Sequence, residues 1–181
     1  MTLVETTRDE LRERIAEAHG RFERLARGAD PSARQRGSRW TVHQLAAHVL
    51  TVAHRYQSFA RSGDYRRAAY PREVDVINQA ELEAVMAPVP DLVAQLRDVT
   101  PEVDALFDEI VDVGPVIPFH SGAMVDGVTA QTNWLAELLL HGEDIARAIR
   151  VPWVLPERDM LLVARGMMPD CSHIRARRRP G

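Results

Sequence analysis

His48, Glu137 and His141 are the residues of this chain whose types and spacing could do chemistry. Two neutral imidazoles and a carboxylate form a donor set that a divalent ion such as zinc prefers. Three protein ligands leave a fourth position open, as in a reactive site. Glu137 and His141 stand at i and i+4, neighbours on the surface of a helix. His48 is far upstream and must be carried to them by the fold. Without that meeting, a glutamate–histidine pair at this spacing is an ordinary helix contact, and an inward histidine is a hydrogen-bonded core residue.

The elements that must position these residues are helical. A first amphipathic helix is predicted over residues 3–27, from Leu11, Ile15, Ala18, Phe22 and Leu25 at spacings of four and three. A second starts at Thr41-Val42-His43-Gln44, which has the form of a capping box, with Trp40 and Leu45 placed to staple it. Gly63 should end it. Helical pattern resumes over residues 73–86 and 91–111, with Pro88 and Pro90 between. Pro101 should kink the latter segment or restart it, with Thr100 as a cap. Residues 114–128 suit a short irregular or hairpin excursion. The last long helix is expected over residues 129–150, followed by a short helical segment at 157–168 and a basic, disordered tail at 169–181. The organisation expected is a helical domain over 1–150, an extension over 151–168 and that tail.

Helical phase separates the seven histidines. With Leu45 as zero, His48 falls about 60° from the centre of the apolar stripe, whereas His43 and His54 fall about 160° and 180° away, toward solvent. With Leu138 as zero, His141 lies about 60° off centre and Glu137 about 100° off on the same side. A glutamate at the margin of an apolar stripe is costly to bury unless a metal ion or an arginine pairs with it. His19 is read as a flank residue, His120 as a loop residue and His173 as part of the tail. Di-iron bundles need a glutamate three residues before a histidine, and no histidine here has one. The metalloprotease motif His-Glu-x-x-His is also missing. A mononuclear site is the helical metal scheme that remains.

Composition bounds the rest. The chain of 181 residues suits one domain with a real core, and its net charge of −3 predicts neither nucleic-acid nor anionic-membrane affinity. No apolar run approaches the roughly 20 residues that cross a bilayer, and the N-terminus lacks the order of a signal peptide. A cytoplasmic location is expected. The single cysteine, Cys171, excludes an internal disulfide framework and a cysteine-based zinc site. All 23 basic residues are arginine, which points to a GC-rich genome and not to a function.

Trp40-Thr41-Val42-His43-Gln44-Leu45-Ala46-Ala47-His48-Val49 resembles the W-T/S-x-x-x-L-x-x-H-L signature of DinB-like proteins. Glu137-Leu138-Leu139-Leu140-His141-Gly142-Glu143-Asp144-Ile145-Ala146 resembles the E-x-x-x-H-x-x-D-I-A signature of their last helix. Their order and separation are similar to those of the metal-binding, N-terminal domain of mycothiol-dependent maleylpyruvate isomerase. The resemblance implies an all-α, up-and-down four-helix bundle holding one divalent ion, commonly zinc, on His48, Glu137 and His141. It also implies a low-molecular-weight thiol, mycothiol in a GC-rich actinobacterial host, and an electrophilic substrate. A metal-coordinated thiol is deprotonated at neutral pH and is then the nucleophile. Asp144 would either orient a ligand imidazole or form a salt bridge to an arginine of another helix. Trp40 is read as a staple and core residue. Many relatives carry a further C-terminal domain that about thirty residues beyond the bundle would not supply, so catalytic and thiol-binding residues are not assigned. The expectation is a mycothiol-dependent isomerase or thiol S-transferase domain, monomeric or homodimeric. The alternatives are a non-catalytic metal-binding module and a plain helical bundle.

Overall fold

The computed structural model describes residues 5–64, 68, 70–111, 117–118 and 124–167, with Pro71 and Pro118 described by backbone alone. Among the described residues there are six helices: α1 (Arg8–Gly28), α2 (Val42–Ser62), α3 (Pro71–Ala84), α4 (Val89–Ile110), α5 (Gly127–Ile149) and α6 (Glu157–Met167). Two short strands, β1 (Ile117–Pro118) and β2 (Met124–Val125), pair antiparallel just before α5, with Ile117 opposite Val125. That is the excursion expected there. Cys171, His120, His173 and the tail at 169–181 lie outside the described residues. No described helix is long and apolar enough to cross a membrane.

Local chemistry sets the ends of the two helices that matter most. At the start of α2 the Gln44 N–H donates to Thr41 Oγ1 at 3.3 Å while the Thr41 N–H donates to Gln44 Oε1 at 3.0 Å, so both halves of the capping box form. Losing such a cap costs about 1 kcal/mol. Gly63 closes α2 at φ 72°, the left-handed region where a Cβ is unfavourable. The α5 helix begins earlier than the expected residue 129, because Asp126 Oδ1 accepts from the Thr129 N–H at 2.7 Å and acts as the cap.

The α4 helix runs through Pro101 without restarting. The Thr100 cap does not form. Its hydroxyl instead donates back to the Leu96 carbonyl at 2.7 Å, within the same helix.

Side-chain pairings give the direction of each helix. Arg8 meets Asp104 and Asp108, and Arg97 meets Glu23, so α1 and α4 are antiparallel. Tyr56 donates to the Ala130 carbonyl at 3.0 Å while His48 faces Glu137, so α2 and α5 are antiparallel. His43 touches the Ala87 carbonyl just before α4, and Gln57 and Arg61 bind Glu102 within it. Therefore α2 and α4 run the same way, with α3 as the crossover between them. Strict alternation of direction along the chain, the usual sense of up-and-down, does not hold at that step.

The core lies between the four long helices and is built from Leu11, Phe22, Leu45, Leu50, Leu92, Leu96, Phe107, Trp134, Leu135 and Leu138, all essentially inaccessible. Each such side chain contributes roughly 1.5–3 kcal/mol of burial free energy. Beyond α5 the chain folds back. The Trp153 indole donates to the Leu139 carbonyl at 3.0 Å and lies against Gly142, where an added Cβ would stand 2.3 Å from its ring.

Candidate metal centre

His48 sits in the second turn of α2, and Glu137 and His141 lie one turn apart in the middle of α5. Because α2 and α5 pack antiparallel, the inward faces found from phase oppose each other at this level. One donor atom from each of the three residues lies within 4.8 Å of the other two, close enough to share one ion. Glu137 Oε2 is 3.1 Å from His141 Nε2 and 3.5 Å from His48 Nε2. His48 is buried, and the other two are half-buried.

The electrostatics of this cluster are unbalanced. Glu137 Oε2 is inaccessible to solvent and makes no hydrogen bond, and the same holds for His48 Nδ1. A buried carboxylate oxygen without a partner is among the costlier arrangements in a protein. Burial pushes the Glu137 carboxyl up, but the His141 and His48 imidazoles outweigh it and hold the group well below the usual carboxylate range. Burial pushes His141 down, yet Asp144 and Glu137 overcome it and raise it to about 9. Burial lowers His48, against the pull of Glu137. One proton on His141 is thus what balances Glu137 when no ion is present. Among the described residues no arginine pairs with Glu137. The donor types, their separation and the unbonded Glu137 oxygen all fit a divalent ion in place of that proton.

The surroundings hold the two imidazoles differently. His141 Nδ1 lies 3.3 Å from Asp144 Oδ2, one turn on along α5. The Asp144 carboxylate has no arginine partner among the described residues. The Trp40 ring lies on His48 with centroids 4.6 Å apart, and 6.3 Å from His141. It is a buried core residue, as expected, but it also walls the cluster, which the reading from sequence did not see. A signal was available: Trp40 precedes the cap and should lie over Leu45, and His48 is one helical turn beyond Leu45 on that face.

The remaining histidines correct the solvent-facing expectations. His43 and His54 are half-buried, because α3 and the segment leading into α4 cover the outer face of α2. His43 Nε2 meets the Ala87 carbonyl at 2.6 Å, and burial lowers His54. His19 is buried, not flanking, and sits 3.2 Å from Thr100 Oγ1. None of the three shares a cluster with His48.

Residues 12–146 match the family model described as mycothiol maleylpyruvate isomerase N-terminal domain. The fold is similar to that in two crystal structures, of the mycothiol-dependent maleylpyruvate isomerase and of a point mutant of it. The TM-scores are 0.57 and 0.59, each at 17% identity over 90% of this chain and 70% of the other. No curated protein matches the chain.

Proposed function

The chain belongs to the mycothiol maleylpyruvate isomerase N-terminal domain family, and we propose that it holds one divalent ion on His48, Glu137 and His141 and uses it to activate a low-molecular-weight thiol. The observation that carries this reading is the buried, unbonded Glu137 oxygen between two imidazole nitrogens. An ion-pair network would have supplied an arginine there. Two imidazoles and a carboxylate favour zinc, which is content with mixed nitrogen and oxygen ligands in a tetrahedron with one open position.

Each residue then has a task. His48 and His141 present Nε2, and Glu137 supplies charge that offsets the ion. With Nε2 ligating, the His141 proton resides on Nδ1 and donates to Asp144, which fixes that ring and raises its basicity. Trp40 closes one side against water. Bound there, the ion would lower the pKa of a thiol in the open position, so that the thiolate is the species present at neutral pH. Mycothiol is the thiol proposed, acting on an electrophilic small molecule, as isomerisation cofactor or as transferred group. The four long helices are read as a four-helix bundle whose second and third members are parallel, with α3 the crossover that allows it. A cytoplasmic location suits a thiol-dependent chemistry.

The test is elemental analysis and zinc titration of the purified protein, followed by loss of mycothiol thiol in the presence of electrophiles. About one zinc per chain is expected. It should be lost in His48→Ala and His141→Ala and weakened about 10- to 100-fold in Asp144→Asn. Protein that takes up no zinc, and whose stability is indifferent to chelator, would sink the reading. A second reading, a metal-binding module that recognises a small molecule or partner without catalysis, draws on the placement of the cavities. The one between α1 and α4, about 530 Å³, and the one beside α2 and α3, about 280 Å³, are lined by none of the three donors. Zinc-loaded protein that consumes no thiol with any electrophile would select it.

A further inference from the structure

We propose that Trp40 is the positioning residue for His48, holding the plane of its ring by stacking where a hydrogen bond is lacking. This deepens the metal reading and rests on it. The two imidazoles need the same thing, a fixed ring with Nε2 facing Glu137. His141 obtains it from the carboxylate of Asp144 at Nδ1. His48 has no such partner: its Nδ1 is buried and unbonded. The terminal torsion of a histidine is broad and two-fold, so an unbonded ring is held by packing alone. Here the face-on packing is the Trp40 indole, 4.6 Å away and tilted by 37°, while the His141 ring meets His48 edge-on at 5.0 Å.

The indole can impose an orientation because it is itself held at several points. Its Nε1–H donates to Gln79 Oε1 on α3 at 3.1 Å. The Trp40 backbone N–H donates to Ser38 Oγ at 3.2 Å, and the Trp40 backbone carbonyl accepts from the same hydroxyl at 3.1 Å. The Arg39 guanidinium lies 4.7 Å from the ring centre. The residue also directly precedes Thr41, whose capping box ties that backbone to α2. An electron-rich indole face further favours an imidazole that gains positive character on ligation. Gln79 thereby links the crossover helix to the metal centre through one aromatic ring. It touches no ligand itself, which makes it the cleanest place to probe the chain of contacts.

The experiment compares the full chain with Trp40→Leu, Trp40→Phe and Gln79→Leu. Three measurements are made on each: zinc affinity by competition with a chromophoric chelator, the visible spectrum of the cobalt(II)-loaded form, and the melting temperature without metal. Trp40→Leu should weaken zinc binding by on the order of 10- to 100-fold, the range for groups that orient a ligand, and shift the cobalt bands. Trp40→Phe, which keeps an aromatic face but loses the bond to Gln79, should recover most of the affinity, with the same small loss and spectral shift as Gln79→Leu. Gln79→Leu should weaken binding a few-fold and shift the spectrum in the same direction, with little change in metal-free melting. A residue that only fills the core would lower the metal-free melting temperature and leave the cobalt spectrum untouched, and that result overturns the proposal. If Trp40→Leu does not fold, parent affinity and spectrum in both Gln79→Leu and Trp40→Phe overturn it. A parent protein that binds neither ion overturns the metal reading as well, whereas a parent that binds beside indifferent variants overturns only the role of Trp40.

Discussion

On α1, His19 and Glu23 stand one turn apart and face α4; on α5, Glu137 and His141 stand one turn apart and face α2. The two pairs hold the same residue types at the same spacing, in reverse order along the helix, and the opposite helix makes the difference. Across from the first pair comes Arg97, whose guanidinium donates to both Glu23 oxygens, and Thr100, whose hydroxyl oxygen meets His19 Nε2. Because the Thr100 hydroxyl proton goes to the Leu96 carbonyl, that oxygen is left to accept from the imidazole. Glu23 has its charge-assisted bonds and His19 has its acceptor. Across from the second pair comes another imidazole, and the Glu137 oxygen is left without a bond. A buried glutamate facing an arginine is closed by the protein itself, whereas one facing imidazoles calls for a cation from outside.

The largest expected effect separates the two pairs outright. His48→Ala or His141→Ala should cost more than about 100-fold in zinc affinity, beyond the range for orienting groups, while His19→Ala should leave the metal content of the parent. Loss of zinc from His19→Ala would break the comparison. In the parent, zinc at a thousand times its dissociation constant should add about 4 kcal/mol of stability over the chelated form, visible as a rise in melting temperature.

Next comes proton linkage, where the two histidines should act with opposite sign. His141 is raised to about 9 without metal, from an unfolded value of 6.5. Its stabilisation of the metal-free protein is therefore complete below pH 6.5 and lost as pH rises through 9. Calorimetry of zinc binding near pH 8, in buffers of different ionisation enthalpy, should show release of about one proton per ion. His19 is lowered, chiefly by burial and against the pull of Glu23, so its contribution is present above pH 6.5 and lost as pH falls below it. Replacing His19 should remove the acid-side loss and leave proton release on zinc binding unchanged.

Smaller effects sharpen the closed pair. Thr100→Val removes the acceptor of a buried imidazole and should cost about 1–3 kcal/mol in denaturant unfolding, with zinc affinity unchanged. Arg97→Leu leaves Glu23 without its cation and should lower melting by a few degrees. The loss is moderated because the arginine side chain is mostly exposed, so solvent screens the pair.

How much of this was legible before the fold depended on how local the cause was. The α2 helix could be bounded to the residue, since Thr41, Gln44 and Gly63 act through bonds within a turn of themselves. Inward phase picked out His48 for the same reason. The restart allowed for at Thr100-Pro101 does not occur, because a lost helix bond weighs less than the packing of Val99, Val103, Leu106 and Phe107 on either side of it. His43 and His54 misled because phase on one helix cannot know that α3 will lie over its polar face. The flank position expected for His19 fails because its burial depends on α4 arriving with Thr100.

By itself, then, the sequence determined the helical elements, the caps that begin and end α2, the i,i+4 placement of Glu137 and His141, and the family to which the two motifs point. These follow from short-range geometry, in which each residue acts on its own helix. Only the tertiary structure decided that α2 and α4 run parallel across α3, and that Glu23 meets an arginine while Glu137 meets an imidazole. It alone placed the Trp40 ring on His48. Those outcomes depend on which faces meet across the core, and a meeting of faces is a property of packing between segments far apart in the chain.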